Sequence, residues 1–242
     1  MERIDLLGRK NYRLIQDTDA FCFGMDAVLL ADFVQAGPED AVLDLGTGNG
    51  VLPLLLDGRD KGGCFTGLEI QPKAAALACR NMVLNGLQEK VRIVCGDLKE
   101  ASALLGRAAF SIVVTNPPYM NENHGLVNPD EAKAVARHEL RCTLEDVIRE
   151  SAAVLQPGGR CFMIHRPRRL TEILTLMSRF GLAPKRLRFV HSFADSPAEM
   201  VLVEGARGGK PWIKTMAPLI VYGAGRVYTA EIRRIYFGEE EA

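Results

Sequence analysis

The stretch Ala41-Val-Leu-Asp44-Leu-Gly46-Thr47-Gly48-Asn-Gly50 limits the possible folds more than any other part of the chain. A short apolar run, the right length for a buried strand, ends in an acid and enters a turn with three alternating glycines. Behind the turn, Val51 to Leu56 carries the apolar residues of a helix start. Strand, glycine turn and helix in that order open an α/β sheet of the doubly wound kind. Glycines take positive φ and let backbone approach a ligand, and a helix N-terminus adds N–H groups and a positive dipole. A dinucleotide fold spaces its glycines G-x-G-x-x-G to seat a pyrophosphate. Here the spacing is G-x-G-x-G, with Asp44 just ahead of Gly46. A carboxylate there repels phosphates and accepts from an ammonium group, so the turn reads as a seat for a cofactor with an amino-acid end. A glycine-rich turn without special purpose is the plainer alternative.

Two further strand ends carry acids in the same register. Cys64-Phe-Thr-Gly-Leu-Glu69 ends in a residue able to accept both hydroxyls of a ribose, the use nucleotide folds make of an acid at the second strand. Val91 to Cys95 leads into Gly96-Asp97-Leu98, where Asp97 is placed to accept from an exocyclic ring amine, with Ile70 and Leu98 flanking that ring. Each acid is also a plausible helix N-cap, and Asp97 can serve in both ways.

Phe110 to Thr115 reads as a fourth buried strand, and it runs into Asn116-Pro117-Pro118-Tyr119. Proline fixes φ and has no N–H, so the two prolines make a stiff loop with unclaimed carbonyls. The Asn116 amide oxygen and the Pro117 carbonyl offer two acceptors to a planar amine, and Tyr119 is placed to stack on the attached ring. That combination suits alkylation of a nitrogen conjugated with a π system. An ordinary strand-to-loop turn is the competing reading.

Taken together these segments resemble the class I S-adenosylmethionine-dependent methyltransferases, and over nearly the whole chain the small tRNA adenine N6-methyltransferases that modify a valine tRNA beside the anticodon. The resemblance includes the leader Gln16-Asp17-Thr18-Asp19-Ala20-Phe21-Cys22-Phe23-Gly24-Met25-Asp26 through Leu30, and Arg137-His138-Glu139. It implies a Rossmann-like, mostly parallel seven-stranded sheet in the order 3-2-1-4-5-7-6, with short N-terminal and C-terminal additions. It implies S-adenosyl-L-methionine held by Phe23 and Asp26 in the leader, by Asp44, Gly46, Thr47, Gly48 and Gly50, by Glu69 and Ile70, by Asp97 and Leu98, and by Asn116. Catalysis then falls to Asn116, Pro117, Pro118 and Tyr119. The expected partner is RNA, most readily tRNA, and no metal is expected. Two alternatives stay open. A protein glutamine N5-methyltransferase would present a carboxamide to the same two acceptors, and a non-catalytic RNA-binding protein would keep the fold as a scaffold.

Composition sets the remaining limits. The chain of 242 residues suits one domain, with a leader over 1–36, a catalytic core over 41–205 and a C-terminal extension over 206–242. Thirty basic residues balance thirty acidic ones, so RNA must be met by a local patch. Arg166, Arg168 and Arg169 are one candidate patch, and Lys185, Arg186 and Arg188 another; a solvated face is the alternative for both. Six cysteines lack C-x-x-C spacing and read as reduced thiols, with those at 64, 79, 95 and 161 expected in the core. The N-terminus lacks a signal-peptide pattern, and no apolar run reaches the roughly 20 residues of a membrane span. A cytoplasmic protein is expected. Helices are expected at 26–34, 51–56, 72–84, 98–105, 144–155 and 170–180. Strands are expected at 161–165, 187–191 and 200–204, after the turn signal Pro157-Gly158-Gly159. Near the end, Pro218 to Gly223 reads as a strand and Tyr228 to Phe237 as an amphipathic helix, chiefly for packing, with Tyr228 and Arg226 as possible substrate contacts.

Overall fold

The glycine turn organises the sheet around it as the sequence predicts. In the computed structural model, which describes residues 1–18, 22–117 and 142–238, β3 (Ala41–Leu45) feeds the turn and α2 (Val51–Asp57) follows it. Then come β4 (Cys64–Glu69), α3 (Pro72–Leu84), β5 (Val91–Cys95), α4 (Ala101–Leu105) and β6 (Phe110–Thr115). Beyond the undescribed stretch lie α5 (Leu144–Val154), β7 (Leu155–His165), α6 (Leu170–Arg179), β8 (Leu182–His191) and β9 (Ala198–Arg207). From one edge these strands run β5-β4-β3-β6-β7-β9-β8. That is the expected order, with β9 antiparallel to both neighbours and the remaining neighbours parallel.

Strand residues alternate between two cores, as the pleat requires. Val42, Ile112, Val114, Phe162, Ile164 and Leu202 face a layer that includes α1 (Met25–Phe33), α2 and Met82 of α3. Leu43, Leu45, Val113, Cys161, Met163 and Val203 face α5 and α6. Because both faces are covered, the central strands read as unbroken apolar runs rather than alternating ones.

Several elements depart from expectation. The leader opens with a hairpin, β1 (Glu2–Leu6) and β2 (Arg13–Asp17), paired antiparallel. The seven-stranded sheet gains two short strands, β10 (Lys214–Thr215) and β11 (Leu219–Ile220), each parallel to β8. The final helix is α7 (Ala230–Phe237), which packs Ile232 and Ile235 into the core beside α1. Pro157-Gly158-Gly159 does not end a strand: Phe110 pairs with Leu155 and Ile112 with Arg160, so the residues between bulge out of a continuous β7. The Leu98–Glu100 stretch is a 3-10 turn ahead of α4.

The cysteine reading needs correction. Only Cys161 is buried, whereas Cys64, Cys79 and Cys95 are exposed. Cys64 opens β4, Cys95 closes the edge strand β5, and Cys79 lies outside the buried stripe Ala75, Ala78, Asn81 and Met82 of α3. Strand membership alone buries nothing at the ends of a strand. No described helix is long and apolar enough to cross a membrane.

Candidate active site

Parallel pairing brings the chemistry to one edge. Asp44 lies opposite Gly67 of β4 and Val114 of β6, and Glu69 lies opposite Cys95 of β5. Glu69, Asp97 and Asn116 therefore stand at neighbouring strand ends with Asp44, though separated widely in sequence.

The three glycines divide the work of the turn. Gly46, Gly48 and Gly50 have φ of +81°, +57° and +83°, in the left-handed region that favours glycine. A Cβ on Gly46 or Gly48 would meet no atom within 4 Å, so their backbone borders open space. A Cβ on Gly50 would come 2.7 Å from Met82 Cε and 3.3 Å from Ala78 Cβ, so this glycine serves the packing of α3. The turn's amides are already engaged: Gly46 and Thr47 donate to the Leu68 carbonyl (2.9 and 3.0 Å), and Gly48 to Glu69 Oε2 (2.9 Å).

Asp44 is 1 % exposed, and neither carboxylate oxygen has a hydrogen-bond partner; Thr47 Oγ1 is also buried without one. Burial pushes the Asp44 carboxyl up to about 7, the nearby Thr47 hydroxyl opposes this, and the Glu69 charge adds to it. A buried, unsatisfied carboxylate is costly, and the residues here fit a ligand bearing an ammonium group. Gly67 makes room for the arrangement, since a Cβ there would come within 2.8 Å of the Thr47 side chain.

Glu69 is 6 % exposed and accepts from the amides of Gly48 and Gln71, both at 2.9 Å. A carboxylate has about four acceptor positions, so it keeps capacity for hydroxyl donors. Asp97 accepts from Lys99 N at 2.9 Å as the N-cap of the 3-10 turn, as expected. Ile70 (37 % exposed) and Leu98 follow the ends of adjacent strands β4 and β5.

Asn116 donates through Nδ2 to Asp26 Oδ2 at 2.9 Å. This contact joins the start of α1 to the end of β6 and determines which way round the Asn116 amide sits. Pro117 is buried beside it. Pro118, Tyr119 and Arg137-His138-Glu139 lie outside the described residues. Phe23 precedes α1, and its amide donates to Gln16 Oε1 at 2.9 Å.

Sequence reasoning missed the residues that dock the leader. Asn81 of α3 and Asn85, four residues on at the helix's C-terminal cap, each pair with a backbone unit of β2. Asn81 accepts from Ile15 N (2.7 Å) and donates to Ile15 O (3.0 Å); Asn85 accepts from Arg13 N (2.8 Å) and donates to Arg13 O (2.7 Å). Asn81 also donates to Asn49 O (2.9 Å), tying the leader to the glycine turn. Their i,i+4 spacing was the available signal. Thr115 Oγ1 donates to Leu45 O (3.0 Å) and locks β6 to β3.

The basic clusters are engaged more heavily than expected. Arg166 and Arg169 stand just past β7, on the site edge, and bond Glu199 O (3.2 Å) and Glu172 (2.7 Å). Arg186 pairs with Glu204 and donates to Phe33 O (3.0 Å), while Arg188 holds both oxygens of Glu231 (2.8 and 2.9 Å). Lys185 lies over the Trp212 ring, 4.5 Å from its centroid. Tyr228 stacks between Tyr222 and Tyr236 at 5.4 and 5.7 Å, a packing role, and Arg226 is exposed with φ of +59°.

A model of the methyltransferase small domain matches residues 19–183. The chain is 29 % identical to the tRNA1(Val) (adenine(37)-N6)-methyltransferase of Porphyromonas gingivalis, over 96 % of this chain and 93 % of that protein. It is 25 % identical to the protein of the same name from Aeromonas salmonicida, over 91 % and 90 %. Among solved structures, a predicted O-methyltransferase from Agrobacterium tumefaciens superposes with a TM-score of 0.72 at 23 % identity, covering 88 % of this chain and 96 % of that one. Geranyl diphosphate C-methyltransferase from Streptomyces coelicolor reaches 0.55 at 19 % identity, over 76 % and 77 %. The sheet order, the crevice beside Gly46 and Gly48 and the span of the matching model agree, and the chain belongs to the methyltransferase small domain family.

Proposed function

We propose that this protein is an S-adenosyl-L-methionine-dependent methyltransferase that modifies N6 of an adenosine in tRNA beside the anticodon, acting in the cytoplasm as a single domain over 1–242. The observation that carries the reading is the Asn116 amide, oriented by Asp26 at the sheet edge where Asp44 is buried without a partner. The names borne by relatives over nearly the full length support RNA adenine, rather than a protein glutamine, as the acceptor.

In this reading Asp44 takes the ammonium end of the cofactor, Glu69 its ribose hydroxyls and Asp97 its adenine amine, with Ile70 and Leu98 against the ring. Thr47, Gly46 and Gly48 shape the space, Gly50 lets α3 pack behind the turn, and Phe23 and Asp26 close the space from the leader. When bound, the cofactor supplies an electrophilic methyl group on a sulfonium. Asn116 Oδ1 and the Pro117 carbonyl accept the two hydrogens of the target amine. They steady the charge that grows on nitrogen as its lone pair leaves conjugation. Pro118 stiffens the loop and Tyr119 stacks on the base, worth about 1–3 kcal/mol. Positioning contributes most, because well-oriented reactants gain roughly 7–11 kcal/mol. The target base must leave its stack, which costs least in a single-stranded loop.

Labelled-methyl transfer to bulk tRNA, with release factor and duplex DNA assayed in parallel, tests the reading. Label in N6-methyladenosine is expected on tRNA alone. Asn116→Ala is expected to lower kcat about 10²–10³-fold, while the lost bond to Asp26 costs only about 0.5–1.5 kcal/mol of stability and leaves the fold intact. Full activity in that variant would refute the mechanism.

A further inference from the structure

A second concave site lies away from the crevice. It is a cleft of about 570 Å³ between the end of α1 and the β7–β8 part of the sheet, lined in part by Lys61, Arg160, Arg186, Arg188 and Arg234. Asp32 is the one carboxylate in that lining. With Glu204 and Glu231, which pair with Arg186 and Arg188 from outside the lining, five cations face three acids, a local positive excess in a chain whose formal charge is zero.

The partners of these cations show where charge remains unanswered. Arg186 is matched by Glu204, and Arg188 by Glu231, which also stands 3.7 Å from Arg234. Lys61 donates to the Ala31 carbonyl at the end of α1 (2.9 Å). The Arg160 side chain has no hydrogen bond or ion pair among the described residues; it lies 5.6 Å from the Phe162 ring centroid, and Arg186 lies 5.9 Å from the same ring. Burial lowers Lys61 to about 8 against the pull of Asp32, and the nearby Arg59, Arg9 and Arg186 lower it further. Crowded like charges in a concavity are relieved by an anion.

The placement narrows the choice of anion. α1 starts beside Asn116 and ends at the cleft, so nine residues of helix separate the two by about 13 Å. Along β7, Arg160 precedes His165 at the site edge by five residues, or about 16 Å. An RNA stem-loop with its base at Asn116 spans that distance. Resting on the functional reading above, we propose that this cleft holds a backbone phosphate of the RNA substrate, with Arg160 as its principal contact and Arg186, Arg188 and Arg234 around it. Arg186 and Arg188 keep N–H donors beyond those their acids use, since a guanidinium has five.

The test uses the full-length protein and an unmodified transcript of a valine tRNA. In Arg160→Gln, KM for RNA should rise about five-fold. The slope of log(kcat/KM) against log salt should flatten by roughly 0.7–0.9, the loss of one phosphate contact. The kcat at saturating RNA, the KM for the cofactor and the melting temperature should stay at wild-type values. Arg160→Lys should restore most of the affinity, and Arg160→Glu should weaken it beyond Gln. Unchanged KM and salt slope in Arg160→Gln would overturn the proposal. So would millimolar inorganic phosphate raising the melting temperature of the wild type but not of Arg160→Gln while RNA kinetics stay the same, which would mark a small-anion site. A wild-type protein inert on every RNA would overturn the functional reading, and this occupant with it.

Discussion

Two aspartates, each almost wholly buried, are treated in opposite ways by this fold. Asp57, at the end of α2, is 2 % exposed and accepts from the Tyr12 hydroxyl (2.6 Å), from Lys10 (3.3 Å) and from Lys90. Asp44, at the end of β3, is 1 % exposed and accepts from nothing. Burial pushes both carboxyls up. At Asp57 the Lys90 ammonium and the Tyr12 hydroxyl outweigh it and hold the group below its usual range; at Asp44 the group stays near 7. The contrast separates a carboxylate that secures structure, fastening the β1–β2 hairpin and β5 to α2, from one that the fold leaves without a partner.

The sharpest way to break that contrast is Asp57→Ala. Removing the carboxylate leaves Lys90 and the Tyr12 hydroxyl without their acceptor, while Lys10 keeps Asp60 at 2.7 Å; both lysines are partly exposed, so a loss of about 2–3 kcal/mol in urea unfolding is expected. The cofactor affinity of the remaining folded protein should be unchanged. A loss below 1 kcal/mol would mean that the cluster is only decorative.

Asp44→Asn should do the reverse. With no partner to abandon, the variant should be as stable as the wild type or more so at pH 8. Its affinity for S-adenosyl-L-methionine by calorimetry should fall about 100-fold, the equivalent of one charge-assisted contact near 3 kcal/mol. Wild-type affinity would remove Asp44 from the cofactor site.

A smaller effect comes from pH. The folded Asp44 holds a proton up to about pH 7, against an ordinary carboxylate value of 3.8 when unfolded. Between those values the native state binds more protons than the unfolded state, so this group's contribution to stability falls as pH rises through the window, by at most about 1.4 kcal/mol per unit. Asp57, with its folded value lowered, contributes stability above the unfolded value and loses it as pH falls through the folded one. The stability difference between Asp44→Asn and wild type should therefore grow from pH 5 to pH 7 and then level. A difference that is flat over this range would place the Asp44 titration elsewhere.

Much of this was legible in the chain itself. The glycine turn, the acids at Asp44, Glu69 and Asp97, the strand ending at Asn116 and the helix Pro72–Leu84 follow from apolar period, turn residues and caps, all written within about ten neighbouring positions. Those signals are local because strand, turn and helix geometry are local. The β1–β2 hairpin was not legible, since its stability rests on Asn81 and Asn85 reaching it from α3. The exposure of Cys64, Cys79 and Cys95 also escaped, because it depends on which strand is at the edge and which helix face turns outward.

By itself, then, the sequence determined the α/β class, the glycine turn and the placing of acids at three strand ends and of Asn116 after a fourth. Tertiary structure alone decided the partners. Asp26 lies ninety positions from Asn116, Arg188 more than forty from Glu231 and Lys90 more than thirty from Asp57, and only the packed sheet brings each pair within bonding distance. A side-chain hydrogen bond depends on position in space to a few tenths of an ångström, and residues that far apart in a chain carry no local mark of the neighbour that folding will supply.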